Sequence, residues 1–283
     1  MTYNALGTSA LDYEPCRYGK SKLLFRGPKR PMTAPYVSFF GGSEIYGKFV
    51  KKPTPALVET AIGVNCINFG IVNCGVDVVL NDMVLMHAAS EASVAVVQIV
   101  GAQNLSNRFY SVHPRRNDRF VRASALLQAV YPEVDFAEFN FTRHMLSHLF
   151  FVSPQRFGAV RTELQTSWVA RMKSMLSRIE APIVLLWVSD HAPWETQSLG
   201  VDPALARSPL FVSREMINQI APLAAQVVEV LITPATQASG TNGMVFNELE
   251  RDIAAQSPGP LVHREIARAL APILTSVMEE RNT

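Results

Sequence analysis

Five short runs of apolar, mostly β-branched or aromatic residues recur along this chain, at 36–40, 65–69, 94–100, 183–188 and 227–232, with helix-patterned stretches between them. Each run is bounded by Gly, Pro or Ser and is apolar on both faces. Such strands do not stand half exposed. They fit a parallel sheet covered by helices on both sides, because each parallel connection needs a crossover that lays a helix on the sheet. The fold class is therefore α/β, with about five strands. The intervening patterns predict helices over 55–62, 76–89, 154–179, 214–225 and 263–280. In the last, Ile266, Leu270, Ile273, Leu274 and Val277 fall three and four apart, which is one stripe to lay on the sheet.

Two regions exceed this minimal alternation. Residues 1–35 carry Arg17, Lys20, Lys22, Arg26, Lys29 and Arg30, with no acid between 17 and 30, and Gly and Pro breaks, and read as an irregular basic arm. The connection from 101 to 182 is far longer than an ordinary crossover. It predicts extra helices at 121–131 and 136–151, forming a cap beside the strand ends. The organisation is then a basic arm, 1–35, and one α/β domain, 36–283, with a cap insertion at about 105–155. At 283 residues and 48% hydrophobic content, one core with an elaboration is favoured over two equal domains.

A net charge of +2 gives no ground for nucleic-acid or membrane binding, and the basic arm contains no recognised nucleic-acid module. No apolar run approaches the length of a membrane span, and the first residues lack the features of a secretory leader, so a cytoplasmic address is expected. Cys16, Cys66 and Cys74 are odd in number and have no metal-ligand spacing, which suits a reducing compartment. His144 and His148 are spaced like two metal ligands on one helix face, but no third ligand is near them in sequence. No metal or cofactor is expected, and the expected partner is a small molecule.

Ligands of open parallel sheets bind at the carboxyl ends of the strands, so the residues after each run are the place to look for chemistry. After the first come Gly41-Gly42-Ser43-Glu44, a sharp turn that exposes a serine hydroxyl or simply caps a helix. After the second come Asn68-Phe69-Gly70 and Gly75, whose backbone amides are free to face a ligand. After the third, Gly101-Ala102-Gln103-Asn104 sets two carboxamides at the strand tip. His263 opens the final helix after Pro258-Gly259-Pro260.

The order of these four segments resembles the SGNH/GDSL hydrolase family, over most of the chain from residue 36 to about 274. The resemblance implies a three-layer α/β/α, flavodoxin-like fold and an esterase or acyl-transfer activity. It also implies Ser43 as nucleophile and His263 as general base, with the oxyanion held by the Ser43 amide, an amide of Gly75 or Gly70, and Gln103 or Asn104. Three positions depart from the family pattern. Gly42 stands where the family has aspartate, Gln103 where it has asparagine, and Pro260 where it has the aspartate that orients the histidine. Asp190, after the fourth run, is the expected replacement acid, with Glu44 a second candidate.

Residues 107–120 are rich in arginine. Arg108, Arg115 and Arg116 stand among aromatic residues directly after the third strand tip, and arginine forks grip carboxylate, phosphate or sulfate in a bidentate manner. An anionic substrate is the expectation, with a solvated basic face as the alternative. Two readings of function follow: a serine acyl-transfer enzyme, or a non-hydrolytic binding or group-transfer protein using the same cleft.

Overall fold

The computed structural model describes residues 11–194 and 207–281. The first ten residues of the basic arm, and residues 195–206 and 282–283 of the α/β domain, lie outside that description.

All five apolar runs form strands: β1 (Tyr36–Gly41), β2 (Asn65–Gly70), β3 (Val94–Gln98), β6 (Ile183–Ser189) and β7 (Gln226–Leu231). They build one sheet in the order β2-β1-β3-β6-β7, and every neighbouring pair is parallel. Alternate residues of a strand face opposite layers. Val37 and Phe39 of β1 pack toward α2 (Thr54–Ile62) and α11 (Pro260–Arg281), whereas Tyr36 and Phe40 join the core under α3 (Val76–Leu80), α4 (Met83–Ser90), α7 (Pro154–Leu176) and α8 (Arg214–Ile220). The result is a three-layer α/β/α fold. The chain leaves β1 toward β2 on one side and returns to β3 on the other, so the carboxyl ends of β1 and β3 flank a crevice where the strand order reverses.

Some boundaries differ from those the periodicity suggests, each for a local reason. The helix expected over 76–89 is two, because the Asp82 carboxylate accepts from the amides of Val84 and Leu85 and starts α4 afresh. The third strand ends at Gln98 rather than at 100. The helix expected over 121–131 begins only at α5 (Ala125–Val130), capped by the Ser124 hydroxyl. Residues 121–123 belong instead to an antiparallel pair, β4 (Tyr110–His113) with β5 (Arg116–Ala123), which buries Tyr110, Val112, Phe120 and Ala123. The helix expected over 136–151 is a short 3-10 turn followed by α6 (Thr142–Val152), with Phe141 in an isolated bridge to Arg119 between them.

The arm is irregular yet packed. Tyr18, Leu23 and Phe25 are buried, and Tyr18 and Phe25 meet Phe69 of β2 edge-on. Among the described residues no helix is long and apolar enough to cross a membrane.

Candidate functional site

β1 delivers Gly41-Gly42-Ser43 to the crevice. A Cβ on Gly41 would lie 2.4 Å from Gln98 Oε1 and 2.7 Å from Ile45 Cγ1, so only glycine lets the strand turn this close to β3. Gln98 is buried and fixes the turn from beneath. Its Oε1 accepts from the Gly42 amide at 2.8 Å, and its Nε2 donates to Glu44 Oε2 at 2.8 Å. The one-turn helix α1 (Ser43–Tyr46) starts here.

Two more side chains hold the far end of α1. Asn68 of β2 donates to the Ile45 carbonyl at 2.9 Å while accepting from the Gly70 amide at 2.9 Å. Arg26 reaches in from the arm. Its buried guanidinium donates to the carbonyls of Tyr46 and Gly47, to Val50 at 2.5 Å and to Lys51 at 3.1 Å. Burial lowers its pKa, an effect partly offset by Tyr13 and Tyr46.

Ser43 lies at the junction of two cavities, of about 640 Å³ and 650 Å³, whose walls share Ser43, Glu44, Asn73, Arg143, Ser208 and Gln256. Neither its hydroxyl nor its amide is tied down. Among the described residues nothing hydrogen-bonds the Ser43 hydroxyl, and the first amides of α1 lack helical acceptors, as at any helix start. The first cavity extends beneath α6, past Gln103, Asp118, His144 and Ser147. The second extends past Lys48, Asp190 and Arg207 toward the loop before α11. Among the described residues that line the two cavities, Lys48, Arg143 and Arg207 are matched in number by Glu44, Asp118 and Asp190.

His263 is not brought to this cleft. It is the fourth residue of α11, shares a face with the buried Ile266, Ala267 and Leu270, and is itself wholly buried. Its Nδ1 accepts from the Thr54 amide at 3.1 Å and lies 2.9 Å from the Thr54 hydroxyl, which puts the ring proton on Nε2. Its Cε1 sits 3.3 Å from where a Cβ would stand on Gly47, at the opposite end of α1 from Ser43. Burial first, and Arg26 second, hold its pKa down to about 3. The apolar stripe of α11 simply begins one step earlier than 266. Gln256, in the segment before α11, lines both cavities instead.

The other expected groups divide. Asp190 and Glu44 share a cavity wall with Ser43. Asn104 and Gln103 both line the first cavity, but Asn104 is committed at both ends: its Nδ2 donates to the Asn73 carbonyl at 3.1 Å, and its Oδ1 accepts from the Thr142 hydroxyl at 2.7 Å. Gln103 retains a buried Oε1 with no partner among the described residues. Gly70 and Gly75 line neither cavity, and the Asn104 carbonyl fills the space beside Gly75 that a Cβ would need.

Arg108, Arg115 and Arg116 also line neither cavity. Arg108 pairs with the buried Glu163 of α7, its Nε 2.7 Å from Oε2, and this pairing together with the Arg108 amide and Ser167 outweighs burial to lower the Glu163 pKa. Arg115 and Arg116 lie on the β4–β5 turn. Burial pushes the Cys74 thiol up to about 12, which leaves it no thiolate at neutral pH. His144 and His148 pack on one ring, Phe139, at 5.1 Å and 5.2 Å, which accounts for their spacing. Among the described residues no three His, Cys, Asp or Glu side chains gather to hold a metal ion.

The sequence marks neither Gln98 nor Gln256 as a site residue, and Arg26 stands out in it only as one cation of the arm. Gln98 alone left a signal, as a single carboxamide inside an otherwise apolar strand.

The chain belongs to the family described as a domain of unknown function, DUF6473, whose model matches residues 1–278. No curated protein matches it. Its fold is similar to that of a lipase from a goat rumen metagenome, at 10% identity and a TM-score of 0.42 over 84% of this chain and 96% of the lipase. It is also similar to a gut microbial diltiazem-metabolizing enzyme, at 12% identity and a TM-score of 0.35 over 85% of this chain and 47% of that protein. Likenesses this distant do not speak for the chemistry of the cleft.

Proposed function

We propose that this member of the DUF6473 family is a serine acyl-transfer enzyme of SGNH-like type, with Ser43 as nucleophile and a small polar ester as substrate. One observation carries the reading: Ser43 presents an uncommitted hydroxyl and a helix-start amide at the junction of two cavities, while Gln98, Asn68 and Arg26 are committed to holding its turn. Pre-set geometry of this kind is what a nucleophile and an oxyanion donor require.

The base in this reading is His144, whose side chain shares the first cavity with Ser43 and is braced edge-on by Phe139. Ser43 Oγ attacks the carbonyl carbon, and its proton passes to His144 directly or through one water. The Ser43 amide and the Gln103 carboxamide stabilise the oxyanion, and the leaving alcohol takes the proton from His144. Water or an acceptor alcohol then releases the acyl group by the reverse path. The equal numbers of acids and bases among the described lining residues, with Arg108, Arg115 and Arg116 outside both cavities, favour a neutral polar substrate over the anionic one that the arginine-rich segment suggested.

A second reading, a cleft that binds such a ligand without turning it over, is favoured by the burial of the expected base, His263, against Thr54 and away from Ser43. The two separate with a fluorophosphonate probe read by intact mass. The enzyme gains one adduct, mapped to Ser43 and absent from Ser43→Ala. An unlabelled wild type that also leaves a broad panel of esters intact supports the binding reading.

A further inference from the structure

The basic arm and the arginine-rich turn, neither of which contributes a cationic side chain to the Ser43 cleft wall, meet elsewhere on the molecule. A separate cavity of about 380 Å³ opens between the arm, the start of α4 and the β4–β5 turn, and it shares no wall residue with either Ser43 cavity. Its floor is apolar, with Leu23 and Val78 buried and Val84 half-buried, while Lys20, Lys22 and Arg115 stand exposed at its rim.

None of these three cations has a carboxylate partner among the described residues. The single acid of the cavity, Asp82, is already engaged. Its Oδ1 accepts from the amides of Val84 at 2.9 Å and Leu85 at 3.3 Å, and its Oδ2 accepts from the Ser21 hydroxyl at 2.7 Å. Hydrogen bonding leaves Asp82 its charge, so among the described residues the cavity wall carries three cations against one acid, and that acid is held by the α4 amides and Ser21 rather than by the cations. Like charges held together cost free energy unless a counter-charge binds between them.

We propose that this cavity binds an amphiphilic anion: a short alkyl or aryl body on the floor, with a phosphate, sulfate or carboxylate head between Lys20, Lys22 and Arg115. The arginine fork takes two oxygens of the head, and the lysines supply point charges beside it. The floor removes the body from water. A free metabolite and the head of a lipid at a membrane surface present the same chemistry.

The test is calorimetric titration of the full chain with monomeric octyl phosphate, set against octyl glucoside, which has the same tail and a neutral head, and against inorganic phosphate. Octyl phosphate is expected to bind at least about tenfold tighter than either, and more weakly as salt is raised. Lys20→Gln, Lys22→Gln and Arg115→Gln together are expected to weaken octyl phosphate about tenfold or more, with octyl glucoside binding and Tm unchanged, since all three side chains are exposed. Cosedimentation with phosphatidylglycerol vesicles identifies the source: binding lost in the triple variant assigns a lipid head, and no vesicle binding beside retained octyl phosphate binding assigns a free molecule. Octyl phosphate binding no tighter than octyl glucoside or inorganic phosphate, or binding equally to the triple variant, overturns the proposal.

Discussion

The two ends of the four-residue helix α1 present opposite environments. At its start, Ser43 faces a cleft with its hydroxyl unpaired among the described residues; at its end, Gly47 is closed in by Pro53, Arg26 and a neutral, wholly buried His263. The open end is where chemistry is possible, and the closed end is what makes the open end rigid. A histidine beside a serine turn is thus no sign of a catalytic pair unless both stand on the same side of the helix.

The contrast breaks most sharply at the serine. Ser43→Ala is expected to abolish fluorophosphonate labelling while shifting stability by no more than about 0.5 kcal/mol, because a solvent-facing hydroxyl without partners is removed. At the closed end the signs reverse. Arg26→Ala removes a donor from four backbone carbonyls, leaves those of Val50 and Lys51 with none among the described residues, and is expected to destabilise the fold by about 3 kcal/mol or more, measured by urea unfolding.

Acid probes the same end more gently. With the folded His263 held near 3 and an ordinary value of 6.5, the unfolded ring takes up a proton that the folded ring refuses. Stability from this group is complete above about pH 6.5 and falls as the pH drops toward 3, by at most about tenfold in the folding constant per pH unit. His263→Gln is expected to flatten that part of the pH profile. The smallest effect sharpens the open end: Gln98→Ala removes both bonds that hold the turn and is expected to slow Ser43 labelling about tenfold, with the label still on Ser43.

The strands were legible because a fully buried parallel strand is apolar on both faces, a pattern that solvent-exposed chain does not maintain. The β4–β5 pair was not, since Arg115, Arg116, Arg119 and Arg122 mask the buried Tyr110, Val112, Phe120 and Ala123 that hold it. Of the glycines at successive strand ends, Gly42 and Gly101 line the cleft beside Ser43, whereas Gly70 and Gly75 do not. Asn104 and Gln103 look equivalent in sequence, and only the Thr142 and Asn73 contacts show that one is committed. A histidine at the head of an apolar stripe looks the same in sequence whether it faces a cleft or the core, and His263 faces the core. Arg26 and Gln256 lie outside the strand ends, and nothing in their neighbouring residues marks one as a support of α1 or the other as a wall of the cleft.

The most direct test compares the fluorophosphonate labelling rates of His144→Asn and His263→Asn, each checked for folding by its thermal transition. The expected result is a rate about 10²-fold or more below wild type for His144→Asn, and a rate near wild type for every folded molecule of His263→Asn. Labelling that survives in His144→Asn and disappears from folded His263→Asn would contradict the account.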